Sequence, residues 1–139
     1  MQIRSIDGEA HVSLTVREQL WDRLPSSSFA VSVSAYGWQG SWEEVWFELA
    51  DLEQFTSALA ELDRRRAGAA VLKGMSPEEF SLAFASVDRA GHVVTEVQLK
   101  RPVRVMDHSY DYSLSVAFAF DVTSFPSLVS ELRTLLVQQ

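Results

Sequence analysis

One cluster of side chains in the sequence could support chemistry. The segment MDHSYDY, residues 106–112, contains Asp107, His108 and Asp111. Imidazole and carboxylate groups bind divalent metals and exchange protons near neutral pH. Their spacing matches no recognised metal site, and the other two of the three histidines would have to be brought alongside by the fold. We interpret the segment as a polar turn leading into a strand, and expect no metal or cofactor.

Motifs for catalysis are otherwise missing from the sequence. It has no phosphate-binding glycine motif, no G-x-S-x-G elbow, no H-E-x-x-H, no EF-hand loop and no S-x-x-K. The absence of cysteine excludes thiol catalysis, disulfides and cysteine-ligated zinc, and it fits a reducing cytoplasm. The sequence therefore nominates no catalytic residue.

Molecular recognition is the other chemistry that the sequence could carry. Trp38, Trp42 and Trp46 recur every four residues, a spacing that puts them on one face of either a helix or a strand. Tryptophan and tyrosine supply much contact area at low entropic cost and are common in binding hot spots. The candidate partner-binding residues are therefore the aromatic and acidic side chains of this segment: Tyr36, Trp38, Trp42, Glu43, Glu44, Trp46 and Glu48. Burial of these rings in the core is the alternative.

The charge pattern indicates what kind of partner to expect. Twelve basic and nineteen acidic side chains give a net charge of −7, and no Lys or Arg occurs between Arg23 and Arg64. This balance opposes nonspecific binding to nucleic acid or to anionic membranes. No segment resembles a secretory signal or reaches the roughly 18 apolar residues of a spanning helix. We expect a cytoplasmic protein.

The hydrophobic pattern predicts seven strands and two helices. Period-two alternation marks the strands and helical spacing marks the helices. The strands are expected at 9–16, 29–38, 42–49, 69–74, 80–87, 92–99 and 109–120, and the helices at 50–66 and 123–138.

These elements predict a single α+β domain over residues 1–139. We expect one largely antiparallel twisted sheet of about seven strands, with both amphipathic helices on one face. The helices would cover the face that carries Val31, Val45 and Phe47. The three tryptophans would then lie on the opposite face, which would be at least partly exposed to solvent.

The order of elements resembles a known group of proteins. A Trp-containing strand, GWQGSWEEVWFELADL, leads into a short Leu-rich helix. The last strand ends at Phe118, Phe120 and Asp121, just before a C-terminal helix with Leu128, Leu132 and Leu135. Over roughly residues 28–137 this pattern resembles the WapI-type immunity proteins and related families of bacterial polymorphic toxin systems. The resemblance implies a non-catalytic inhibitor that binds a cognate toxin domain, commonly a nuclease with a basic site.

Two other functions fit the same residues. A curled sheet could enclose a small-ligand or active-site pocket lined by aromatic side chains, with His108 and Asp111 as its polar groups. Its lining would be Trp38, Trp42, Trp46, Tyr110 and Tyr112. Alternatively, the exposed sheet face could join two copies of the chain in a homodimer.

Overall fold

The computed structural model describes residues 1–76 and 78–137, and eight strands and two α-helices lie within these ranges. A short 3-10 turn, Val122–Ser124, precedes the second helix. The strands are β1 (Gln2–Arg4), β2 (Ala10–Leu20), β3 (Ser26–Ala35), β4 (Trp38–Glu48), β5 (Ala69–Lys73), β6 (Phe80–Ser86), β7 (Val93–Val105) and β8 (His108–Ala119), and the helices are α1 (Leu49–Arg65) and α2 (Phe125–Leu135).

The strands form two sheets rather than the single sheet predicted. Strands β1 to β4 make one antiparallel sheet and β5 to β8 make another, each in sequence order, with α1 between them. The α+β class and both helices are confirmed, and the count of seven strands is corrected to eight. The additional strand, β1, has three residues, too few for an alternating pattern to reveal. An alternating pattern shows that a segment is a strand. It does not show which strand that segment pairs with when a helix separates the two in the sequence.

The two sheets bury their apolar inner faces against each other. The rings of Phe29 and Phe47 in the first sheet are 5.5 Å apart at their centroids, and Phe47 meets Phe80 of the second sheet at 5.6 Å. All three side chains are buried. Sheets with one apolar face each are stable when those faces pack together. The apolar face that the helices were predicted to cover is therefore covered by the second sheet.

The helices contact both sheets instead of covering one face of one sheet. Phe55 of α1 and Phe125 of α2 each lie 6.1 Å from Phe84 of β6. At its other end α2 reaches the first sheet, where Gln19 Nε2 donates a hydrogen bond to the carbonyl oxygen of Leu135 at 3.2 Å. The predicted placement of the helices is therefore wrong, because the apolar stripe of each helix fills the space left beside the two packed sheets.

Backbone hydrogen bonds also join the edges of the two sheets. Ser5, just after β1, forms an antiparallel bridge with Phe120, just after β8. At the opposite edges the backbone N–H of Met75, which follows β5, donates to the carbonyl oxygen of Trp46 in β4 at 2.7 Å. These two contacts fix the first sheet against the second at both margins.

A β-bulge in β4 decides which way its side chains point. Phe29 of β3 pairs with Val45, whereas Val31 pairs with Trp42. Glu43 and Glu44 therefore stand together opposite a single residue of β3. Directly paired residues of antiparallel strands point to the same face, so Trp42 shares the inner face with the buried Val31.

The prediction that the three tryptophans share one face is therefore wrong. Trp38 pairs with Ala35 and lies on the inner side with Trp42, whereas Trp46 pairs with Ser28 and lies on the outer side. An even spacing keeps residues on one face only while the pleat is regular. The extra residue at the bulge reverses the alternation between Trp42 and Trp46. The turn predicted between the strands 29–38 and 42–49 is also misplaced, because Gly40 lies within β4.

The two inner-side tryptophans should differ in their effect on stability. Trp42 is partly buried against the core, whereas Trp38 is 70% exposed. We expect Trp42→Ala to lower the free energy of unfolding by about 2–3 kcal/mol, somewhat less than the loss for a fully buried ring. Trp38→Ala should change it by no more than about 0.5 kcal/mol. Urea denaturation followed by circular dichroism measures both losses, and equal losses would contradict the burial of Trp42 against the core.

Packing between the sheets can be tested at Phe47 and Phe80. A double-mutant cycle with Phe47→Leu and Phe80→Leu should give a coupling of about 0.5–1.5 kcal/mol, because edge-to-face aromatic pairs contribute that much beyond burial. Val71, exposed on β5, serves as the control partner: Phe47→Leu with Val71→Ala should show no coupling. Absence of coupling in the first cycle would argue against contact between the sheets.

Candidate functional site

The turn between β3 and β4 carries the first two candidate residues. Tyr36 and Gly37 form its two-residue connection and have positive φ angles of 52° and 89°, as tight hairpins with a right-handed strand twist require. The Tyr36 hydroxyl donates a hydrogen bond to Asp7 Oδ2 at 2.7 Å. Tyr36 and Trp38 are both exposed. The turn therefore presents two large aromatic rings to solvent.

A small hydrogen-bonded cluster fixes the Tyr36 side chain. Asp7 Oδ1 accepts hydrogen bonds from the Ser5 hydroxyl at 2.6 Å and from the backbone N–H of Glu9 at 3.0 Å. The bonds from Ser5 and then from Tyr36 lower the pKa of Asp7, because they stabilise its ionised form. The same bond to Asp7 raises the pKa of Tyr36. The loop at residues 5–9 thus holds the aromatic turn in place.

Trp42 faces the second sheet rather than solvent. The Arg101 guanidinium lies over its ring, 4.6 Å from the centroid, a cation–π arrangement. Beside it the backbone of Gly40 approaches β8 closely: an added Cβ would lie 2.9 Å from Cδ2 of Leu114. Glycine thus permits the inner face of β4 to approach the second sheet, and Trp42 closes that end of the core.

The bulge exposes two carboxylates side by side. Glu43 and Glu44 are both exposed, and neither makes an ion pair within residues 1–76 and 78–137. Glu48 at the end of β4 is partly buried and precedes α1, where a negative charge is favourable beside the helix N-terminus. The bulge is therefore a site of free negative charge.

The outer side of β4 at Trp46 is backed by buried serines. Ser26, Ser27 and Ser28 open β3 and are all buried, although the sequence pattern assigns this stretch no strand. Ser28, which pairs with Trp46, is fully buried and its hydroxyl has no hydrogen-bond partner among the described residues. Trp46 itself is partly buried. This side of β4 therefore combines an aromatic ring with one buried hydroxyl, that of Ser28, which has no partner among the described residues.

Sequence reasoning missed a protruding part of the second sheet. Strand β6 pairs with β7 only over Val93–Leu99, whereas β7 and β8 continue together to their turn. We call residues 100–113 the β7–β8 arm. Tyr110 and Tyr112 lie on the arm and are about half exposed, at 52% and 55%. The arm arises because β7 continues past the residues that pair with β6, and β8 pairs with it as far as the turn.

The polar cluster MDHSYDY lies at the end of this arm. Asp107, His108 and Asp111 are all exposed, and Asp111 forms an ion pair with Lys100 at 3.5 Å. Within the described part of the chain, no group of three histidine, cysteine, aspartate or glutamate residues is arranged to hold a metal ion.

The arrangement of the tryptophans also bears on the predicted aromatic pocket. Trp42 and Trp46 lie on opposite sides of β4. One pocket cannot be lined by both rings together with Tyr110 and Tyr112. The predicted pocket with this set of lining residues is therefore wrong, because the bulge puts Trp42 and Trp46 on opposite sides of the strand. In the described ranges no helix has the length and apolar composition needed to cross a membrane.

Comparison with known proteins identifies the family. The model of the immunity protein WapI-like family matches residues 3–138, which include both sheets and both helices. No curated protein and no solved structure matches the chain. The family match extends the resemblance seen in the sequence to the N-terminal strands, which that resemblance did not cover. The chain belongs to the WapI-like immunity protein family.

Proposed function

We propose that the chain binds and neutralises a cognate bacterial toxin domain in the cytoplasm and catalyses no reaction of its own. The family match over residues 3–138 carries this proposal. Immunity is achieved by occupying or blocking a toxin, so the relevant property is a surface that binds one partner tightly. The acidic and aromatic residues of β4 and its turn supply such a surface.

Electrostatics supports a basic partner, such as a nuclease domain. The chain carries a net charge of −7, and the carboxylates of Glu43 and Glu44 are exposed and form no ion pair with described residues. A protein that grips an anionic substrate is positively charged around its site. Complementary charges accelerate association and exclude wrong partners.

The aromatic residues would supply the contact area. Tyr36 and Trp38 project from the turn, and the bulge glutamates lie farther along the strand that Trp38 begins. Trp46 would join this surface from the outer side of β4, with Glu48 beside it. Trp42 contributes differently in this proposal: stacked under Arg101, it supports the strand from the inner side. The proposed interface is thus the turn, the bulge and the outer face of β4.

Charge reversal at the bulge tests this proposal. Glu43→Lys with Glu44→Lys should weaken toxin binding at least about 100-fold, because like charges then face each other across the interface. Glu53→Lys with Glu96→Lys is the matched control: both residues are exposed elsewhere, the net charge changes equally, and affinity should stay within about threefold. The native chain is used to capture its partner from lysate, and mass spectrometry identifies the captured protein. Biolayer interferometry at two salt concentrations then gives the affinity of each variant for that protein.

Protection of cells provides the functional readout. Co-expression of the captured toxin with the native chain or the control variant should permit growth, whereas the bulge variant should not. Circular dichroism must show that both variants are folded. Equal protection by the bulge variant and the control variant would show that the bulge is not part of the interface. A captured partner that is not toxic, or capture of a second copy of the chain alone, would contradict the immunity function.

A further inference from the structure

We propose that a cleft on the outer side of β4 accepts an arginine side chain of the toxin, an assignment that rests on the proposed function. The cleft has a volume of about 320 Å³, at the small end of the roughly 300–1,000 Å³ typical of ligand sites. We call it the Trp46 cleft, and its principal lining residues are Leu20, Ser26, Glu44, Trp46, Met75 and Glu79.

The apolar walls of the Trp46 cleft are incompletely covered. Leu20 is 46% exposed and Met75 is 43% exposed, beside the partly buried ring of Trp46. Exposed apolar side chains around a concave surface favour a partner that removes them from water. The methylene groups of a long basic side chain can fill such a space while its charged end remains at a polar rim.

Two carboxylates at the cleft lack a cation. Glu44 comes from the bulge of β4 and Glu79 from the segment before β6. Neither forms an ion pair with described residues. The backbone N–H of Lys100 donates to the carbonyl oxygen of Glu79 at 2.8 Å, but Lys100 Nζ is directed to Asp111 at 3.5 Å. A cation supplied by the partner would therefore meet two free acceptors.

A serine hydroxyl in the lining supplies a further hydrogen-bonding group. Ser26 is only 5% exposed and lines the cleft. The neighbouring Ser27 hydroxyl donates to the carbonyl oxygen of Glu18 at 3.2 Å, whereas the Ser26 hydroxyl makes no hydrogen bond to described residues. A hydroxyl oxygen can accept a hydrogen bond, so an N–H group inserted into the cleft could donate to it.

Arginine fits this combination better than lysine or a metal ion. Its planar guanidinium presents several donors at once and stacks on aromatic rings, which suits two carboxylates, a hydroxyl and an indole. Lysine offers a compact charge that cannot stack in this way. A metal ion would leave the apolar walls uncovered, and the described residues contain no group of three potential ligands.

The experiment uses N-acetyl-arginine amide as the probe and the whole chain as the receptor. The Trp46 indole N–H resonance, assigned with Trp46→Phe, should shift saturably at millimolar probe concentrations. N-acetyl-lysine amide should bind several-fold more weakly, and the uncharged N-acetyl-norleucine amide should not saturate. Glu44→Gln with Glu79→Gln should weaken arginine binding at least tenfold. Glu53→Gln with Glu96→Gln removes the same charge from exposed positions elsewhere and should leave arginine binding within about twofold.

The outcomes separate the cleft from the toxin-binding role. No saturable shift with the arginine probe, an equal affinity for the norleucine probe, or equal binding by the two double variants would overturn the arginine assignment. If the toxin still binds the native chain, and the variant with Glu43→Lys and Glu44→Lys loses that binding, the proposed function stands without the cleft. If the probe binds as expected but no toxin is captured, the chemistry of the cleft stands and its role in immunity is wrong.

Discussion

Burial of two apolar sheet faces against each other is the constraint on which the rest of this structure depends. Each sheet has one apolar face, and the Phe47–Phe80 contact lies where those faces meet. Helices α1 and α2 then occupy the remaining space around Phe84. With the core filled in this way, the outer side of β4 stays partly exposed, and most side chains of the β7–β8 arm are exposed. Surfaces available for a partner are thus a consequence of how the core is closed.

The fold could be predicted in its parts but not in its assembly. Alternation of apolar residues located β2 to β8, and helical spacing located α1 and α2, because local periodicity reports which face of an element is buried. The division into two sheets depends on which strands pair after α1, and no local pattern encodes that choice. The brevity of β1 and the length of the β7–β8 arm escaped prediction for a related reason: both depend on pairing with neighbours.

The candidate site shows the same limit at the level of single residues. The equal spacing of Trp38, Trp42 and Trp46 indicated one aromatic face, and it would have been one in a regular strand. One extra residue at Glu43 and Glu44 reversed the alternation. The residue types were informative nonetheless, since exposed Trp38 and the free glutamates lie where a partner could reach them. Type and composition thus nominated the segment as a candidate, whereas geometry assigned each side chain its side.

The bulge connects the structural irregularity with the proposed recognition. A regular β4 would alternate its side chains evenly, and Glu43 and Glu44 would then point to opposite faces, one of them toward the core. Burying an unpaired carboxylate there would be costly. The bulge instead keeps both charges in solvent while Trp42 still reaches Arg101 and Val45 still reaches the core. Bulges often re-aim side chains at functional sites. In this chain the bulge lets one strand contribute to the core and carry free negative charge, which suits the proposed binding of a basic toxin.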